Sequence, residues 1–82
     1  MKFYQINKTI TRLGGIPFTE THFFKVWDNA HNHYNAIIND AIKGGYSLLN
    51  EEHGKGGMYV IYISNRTGTT IEVTVYDREF ND

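Results

Sequence analysis

The sequence predicts an α+β protein in which one long amphipathic helix packs on one side of a mainly antiparallel sheet. Two observations carry this prediction. Apolar residues recur at three- and four-residue steps through the middle of the chain, and three runs rich in β-branched and aromatic residues follow them. The 82 residues leave room for one core, so we expect residues 1–82 to form a single two-layer β-α-β-β-β domain with four strands.

The first element is a strand. Residues 2–13 mix β-branched and aromatic side chains, and Tyr4, Ile6 and Ile10 share one parity. This alternation is typical of a half-buried strand, and the two glycines that follow end it.

The second element is the helix. Pro17 followed by Thr19 predicts an N-cap at Thr19, and Phe18 and Phe23 have the spacing of a hydrophobic staple. Lys43 and the glycines after it predict the end of the helix, about six turns later. The apolar stripe consists of Phe23, Trp27, Ala30, Tyr34, Ile37, Ile38 and Ala41.

Three further strands are expected at 46–52, 58–64 and 69–77. The connector between the last two, NRTG, favours a type I turn opened by Asn65, with Gly68 in the left-handed conformation of a bulge. In that register Ile61 faces Val73. The face that meets the helix then carries Ile61, Ile63, Ile71 and Val73.

A symmetric loop of two or four residues is the alternative. It would set Ile61 beside Glu72 and Ile63 beside Thr70, which mixes polarity on both faces of the sheet. The sequence therefore favours the first register.

The first register leaves a sheet face with no helix to cover it. Its members are Met58, Val60, Tyr62, Glu72, Thr74 and Tyr76, with first-strand residues such as Phe3 beside them. Tyrosine is favoured at interfaces because it combines a large area with a polar tip. We expect a partner-binding surface on which Glu72 and Thr74 set the polar register. Burial of this face within the monomer, or stacking of its aromatics on unpaired bases, are the alternatives.

A second, polar stripe follows one flank of the predicted helix. It consists of His22, Asn29, His33 and Asp40, at steps of seven, four and seven residues. Such a stripe is either a solvated helix surface or a recognition surface, because asparagine and histidine form hydrogen bonds without the desolvation cost of full charges.

Two segments resemble chemical sites without the required spacing. His31 and His33 lie two residues apart on the predicted helix and point in different directions, whereas chelating pairs on a helix lie four residues apart. The EEHGKGG segment, 51–57, joins two strands, whereas phosphate-binding loops join a strand to a helix. We interpret it as a flexible hairpin loop, with partner contact or catalysis by Glu51, Glu52 or His53 as alternatives. No catalytic residue, metal site or cofactor is predicted.

The charges are few but unevenly distributed. The net charge is −1, which argues against non-specific attraction to nucleic acid or to a membrane. Basic residues Lys2, Lys8 and Arg12 come first, and acidic residues crowd the far end of the chain. Either the two end segments are adjacent strands whose charges offset each other, or the first is a basic binding arm.

The chain contains no cysteine, which excludes disulfides and thiolate sites and fits a reducing compartment. No apolar run approaches the ~20 residues of a membrane span, and the first residues do not form a signal sequence. We expect a cytoplasmic protein that does not enter a membrane.

Together these features predict a non-enzymatic module that binds a protein partner, such as a host enzyme or complex, or a second copy of itself. The small size and an isoleucine-, asparagine- and tyrosine-rich composition suit an accessory or inhibitor protein of a phage or mobile element. A single-stranded nucleic-acid binder would depend on Lys2, Lys8 and Arg12. A small metal-dependent hydrolase would need His22, His33 or His53 to converge with carboxylates.

Overall fold

The computed structural model describes residues 2–54 and 57–79. The strands form one antiparallel sheet in the order β2-β1-β5-β4-β3, and α1 packs on one side of it. The elements are β1 (Lys2–Thr11), β2 (Phe18–Phe24), α1 (Trp27–Lys43), β3 (Tyr46–Gly54), β4 (Gly57–Ser64) and β5 (Thr70–Glu79). The predicted α+β class is therefore confirmed, but the sheet has five strands instead of four.

The additional strand is β2, where the sequence was expected to begin the helix. Thr19 pairs with Thr9 in the sheet and caps no helix, so the predicted N-cap and staple are wrong. The segment FTETHFF is rich in threonine and phenylalanine, residues that favour strands. As a hairpin partner of β1 it also satisfies backbone groups that would otherwise lie at the edge of the sheet.

The helix α1 is correctly predicted from Trp27 onward. Ala30, Tyr34, Ile37 and Ala41 are buried, as the periodic stripe predicts. α1 ends at Lys43, and Gly45 adopts a φ of 87°, a left-handed conformation that glycine adopts without strain. In the described part of the chain, no helix is long and apolar enough to cross a membrane.

The two end segments of the chain are neighbours in the sheet. β1 pairs with β5 over ten residues, and Lys2 Nζ lies 3.2 Å from Asp77 Oδ2. This confirms the prediction that the basic first segment and the acidic last segment are adjacent strands with offsetting charges. Both groups are substantially exposed, so the pair contributes at most about 1 kcal/mol.

The register of β4 on β5 differs from the predicted one by a single residue. The Ser64 amide donates to the Thr69 carbonyl at 2.9 Å, and the Gly68 amide donates to the Ser64 carbonyl at 2.8 Å. Residues 65–68 therefore form a four-residue loop, with Gly68 left-handed as expected (φ 76°). Val60 faces Val73 and Tyr62 faces Ile71, which is the alternative arrangement.

This shift exchanges the two faces of β4, because alternate side chains of a strand point to opposite sides. Val60 and Tyr62 are 1% and 8% exposed beneath α1, and Met58 packs beside them. Their predicted place on an uncovered face is wrong. Ile61 and Ile63 lie on the reverse side of the sheet. The segment MYVIYIS is apolar at both parities, so its pattern favours neither register.

We call the side of the sheet beneath α1 the helix face and the reverse side the open face. The helix face and α1 together form the core. Its buried members are Ile6, Ala30, Tyr34, Ile37, Ala41, Val60, Tyr62, Ile71, Val73 and Val75.

Candidate partner-binding surface

The open face presents alternate residues of all five strands, and α1, the one helix in the described ranges, lies on the opposite side. The half formed by β4 and β5 is the more apolar. Its central side chains are Tyr59, Ile61, Ile63, Glu72, Thr74 and Tyr76, all partly buried between strand neighbours.

Aromatic rings occupy one end of the open face. Phe3 and Phe23 have ring centroids 5.8 Å apart, and Phe23 is 63% exposed. The Arg78 guanidinium lies 4.7 Å from the centre of the Tyr76 ring. These contacts hold large side chains in place on the surface, so less side-chain freedom is lost when a partner binds.

Tyr59 is fixed by an acidic neighbour in the middle of the face. Burial raises the pKa of Tyr59, and the charge and hydrogen bond of Glu72, together with the charge of Glu52, raise the pKa further. The hydroxyl therefore stays protonated and donates to the Glu72 carboxylate. This places a tyrosine hydroxyl and a carboxylate together in the middle of the open face.

The half formed by β1 and β2 is polar. The Thr9 and Thr19 hydroxyls lie 2.9 Å apart, and the Thr21 hydroxyl donates to Asn7 Oδ1 at 3.0 Å. Gln5 Nε2 donates to the same Asn7 oxygen at 3.1 Å. The open face thus has an apolar half on β4 and β5 and a polar half on β1 and β2, where the polar side chains form hydrogen bonds with each other.

Only half of the predicted sheet surface lies on the open face. Glu72, Thr74 and Tyr76 are there, whereas Met58, Val60 and Tyr62 face α1. Burial and the charge of Glu51 raise the pKa of Tyr62, in keeping with its position in the core. Three open-face residues of β4 were not predicted there: Tyr59, Ile61 and Ile63. The symmetric-loop register considered as the alternative would have placed Ile61 and Ile63 on the open face, beside Glu72 and Thr70.

The predicted polar stripe on the helix does not form a single surface. His22 lies in β2, and its ring centroid is 4.7 Å from that of His33, which also packs 5.2 Å from Phe24. Asn29 and Asp40 are exposed on α1. The stripe was expected on one continuous helix, but β2 replaces the first part of that helix.

His33 is partly buried in this contact. Desolvation lowers the pKa of His33, and the nearby charges of His22 and Lys8 lower it further, while Glu20 acts weakly in the opposite direction. The imidazole is therefore harder to protonate in the folded chain than in the unfolded chain.

The neighbouring His31 has different contacts. Its ring stacks on Trp27 with centroids 5.5 Å apart, and Asn35 Nδ2 lies 3.5 Å from its Nδ1. The two histidines of HNH thus pack against separate neighbours. Across residues 2–54 and 57–79, no group of three or more His, Cys, Asp or Glu side chains is placed to hold a metal ion.

The EEHGKGG segment is mostly strand. β3 continues to Gly54, which pairs with Gly57, so residues 51–54 are not the flexible loop that was predicted. His53 Nε2 lies 2.6 Å from Glu51 Oε1. Lys55 of this segment lies outside the described residues. His22 and His53 occupy opposite edge strands, so these two histidines do not converge on one site.

The basic residues considered for nucleic-acid binding do not line the open face. Lys2 and Lys8 have the same parity as Ile6 in β1 and therefore lie on the helix face. Arg12 follows the end of that strand. Arg78 is on the open face, beside Tyr76.

Comparisons of the chain with protein-family models, with curated proteins and with solved structures find no match.

Proposed function

We propose that the protein is a non-enzymatic module that binds a protein partner through the open face. The observation that carries the proposal is the group of Tyr59, Ile61, Ile63 and Tyr76 on the side of the sheet opposite α1. Apolar and aromatic side chains with polar neighbours are typical of protein interfaces.

The size of the open face supports a protein partner. Five strands at a spacing of about 4.8 Å and about eight residues a strand at about 3.3 Å give an area of roughly 600 Å². Each partner in a standard-size interface contributes about 800 Å². Most of the open face and some of its margin would therefore be covered by a single partner.

Charge favours protein over single-stranded nucleic acid. Surfaces that stack bases are usually ringed by lysine and arginine, which contact phosphates. The centre of the open face instead carries Glu72, with Glu52 nearby on β3, and Lys2 and Lys8 lie on the other side. Among the described residues His22 and His33 are in contact, but no three potential metal ligands come together, so no observation favours the hydrolase.

The exposed helix residues of the predicted stripe belong to another surface. Asn29 and Asp40 lie on α1, with the sheet between them and the open face. One rigid partner seated on the open face would not contact them, so the proposal omits the helix flank. A cytoplasmic accessory or inhibitor protein of a phage or mobile element remains the proposed biological setting, supported by the composition and the lack of cysteine.

The test begins with a protein captured from host lysate by the wild-type chain and then purified. We expect the double variant Ile61→Ser with Tyr76→Ser to bind it at least about 100-fold more weakly, because central apolar and aromatic contacts dominate interface energies. The matched control is Ile42→Ser, since Ile42 is 55% exposed on α1. The control should bind as the wild type does.

Circular dichroism must show that all three chains retain the fold. If the open-face variant binds with unchanged affinity, or if Ile42→Ser causes the same loss, the open face is not the binding surface. Binding to single-stranded oligonucleotides that weakens steeply with salt would favour the nucleic-acid alternative instead.

A further inference from the structure

The two edges of the sheet are unequally protected against pairing with another chain. β3 has a register irregularity between Leu48 and Asn50 and carries Glu51 and Glu52, and bulges and charges both disfavour edge pairing. β2 pairs with β1 in uninterrupted register over seven residues, and six of those seven residues are exposed. Its outer backbone groups form an open template for one more strand.

The identity of that strand is limited by symmetry. When two copies of an edge strand pair about a two-fold axis, the axis is normal to the sheet, and each residue faces one of equal parity in the other copy. A register centred on Thr21 pairs all seven residues of β2 with β2 of the second copy. Moving the centre by one residue to either side leaves two residues of each strand unpaired.

The side chains of β2 are complementary to themselves in the register centred on Thr21. Glu20 faces His22 of the second copy, and the same pair recurs on the other side of the axis. Phe18 faces Phe24, so apolar residues meet at both ends. The neighbouring registers set Glu20 against Glu20 or His22 against His22, which opposes like groups.

β2 remains largely exposed beside α1, since six of its seven residues are exposed. α1 begins with Trp27 beside Tyr4 of β1, with a ring-centroid distance of 5.3 Å, and ends next to β3. α1 contacts β2 through His33, whose ring centroid lies 4.7 Å from that of His22 and 5.2 Å from that of Phe24.

We propose that β2 pairs antiparallel with β2 of a second copy of this chain, with the two-fold axis at Thr21. The product is a continuous ten-stranded sheet made from two five-stranded ones. Both helices lie on the same side, and the two open faces join into a single surface. This proposal does not depend on the proposed function, because it uses the edge of the sheet and not the open face.

Cysteine cross-linking tests the register, since the natural chain has no cysteine. In the proposed dimer the two Thr21 Cα atoms lie about 4.5–5.5 Å apart, within the range that a disulfide spans. The two Thr19 Cα atoms are offset by four residues along the strand, which is about 13 Å. Under mild oxidation, Thr21→Cys should form a covalent dimer at least about ten times faster than Thr19→Cys.

Sedimentation of the unmodified chain tests the dimer itself. From micromolar to millimolar concentration the mass should rise from 9.5 kDa toward twice that value. Thr21→Lys should weaken association at least about tenfold, because it sets like charges opposite each other. The control is Ser47→Lys on the exposed edge strand β3, which should associate as the wild type does.

A chain that stays monomeric at millimolar concentration overturns the proposal. A dimer that cross-links equally through positions 19 and 21, or that is unaffected by Thr21→Lys while Ser47→Lys disrupts it, places the contact elsewhere and also overturns it. Circular dichroism of Thr21→Lys must match the wild type, so that loss of association is not loss of folding.

Discussion

Alternate residues of β4 form two surfaces of similar hydrophobicity, one buried beneath α1 and one only partly buried. Val60 and Tyr62 lie under α1 and are almost completely buried, whereas Ile61 and Ile63 lie on the open face. The difference comes from the length of one hairpin loop and not from the side chains themselves. An apolar residue on this strand therefore belongs to the core or to a binding surface according to register alone.

The largest expected difference between the two faces comes from a buried charge. Val73→Lys should cost about 4 kcal/mol or more and unfold most of the protein, because Val73 is 0% exposed and an unpaired ammonium group there would lose its hydration. Thr74→Lys, one residue later on the open face, should cost about 1 kcal/mol or less. Urea unfolding followed by circular dichroism measures both free energies.

Equal losses at positions 73 and 74 would show that both faces are covered and would contradict the distinction between them. Tolerance of lysine at position 73 would contradict the assignment of Val73 to the core.

Two tyrosines give the next largest difference. Tyr62→Ala should lower the free energy of unfolding by about 3 kcal/mol, since it leaves a cavity between the sheet and α1. Tyr76→Ala should cost about 1 kcal/mol, the sum of the contact with Arg78 and cross-strand packing. Thermal unfolding of the two variants side by side is the measurement. A Tyr76→Ala loss as large as that of Tyr62→Ala would mean that the open face is buried in the folded unit.

The smallest expected effect is the pH dependence that His33 contributes where α1 meets β2. Its pKa is lowered in the folded chain by desolvation and by the charges of His22 and Lys8. The unfolded chain, with a pKa near 6.5, then binds a proton more readily than the folded chain does. Stability is therefore unaffected above that pKa and falls as the pH drops through and below it.

His33→Gln should lose less stability between pH 7.5 and pH 5.5 than the wild type does, as urea midpoints at about these two pH values would show. The matched control is His31→Gln, which removes an exposed histidine of the same helix. If the two variants show the same pH dependence, the contact between His22 and His33 does not perturb His33.

The sequence predicts elements whose pattern has only one solution. The stripe from Ala30 to Ala41 fits a helix and no strand, and its glycine-rich end defines where that helix stops. The uneven charges favoured the pairing of β1 with β5, one of the two interpretations of the end segments. These features were predictable because local preference and tertiary packing agree.

The features that were not predicted are those for which local patterns allow two solutions. Residues 18–24 contain both a plausible helix start and a strand alternation, and pairing with β1 decides in favour of the strand. The β4 segment is apolar at both parities, so its register depends on the hydrogen bonds of Ser64 with Gly68 and Thr69. Because the register of β4 was ambiguous, only the β5 residues of the predicted surface, Glu72, Thr74 and Tyr76, were placed correctly on the open face.

The register of β4 on β5 is the central claim, and interstrand backbone NOEs measure it directly. We expect contacts that pair Val60 with Val73 and Tyr62 with Ile71. NOEs that instead pair Ile61 with Val73 and Ile63 with Ile71 would move both isoleucines into the core and would contradict it.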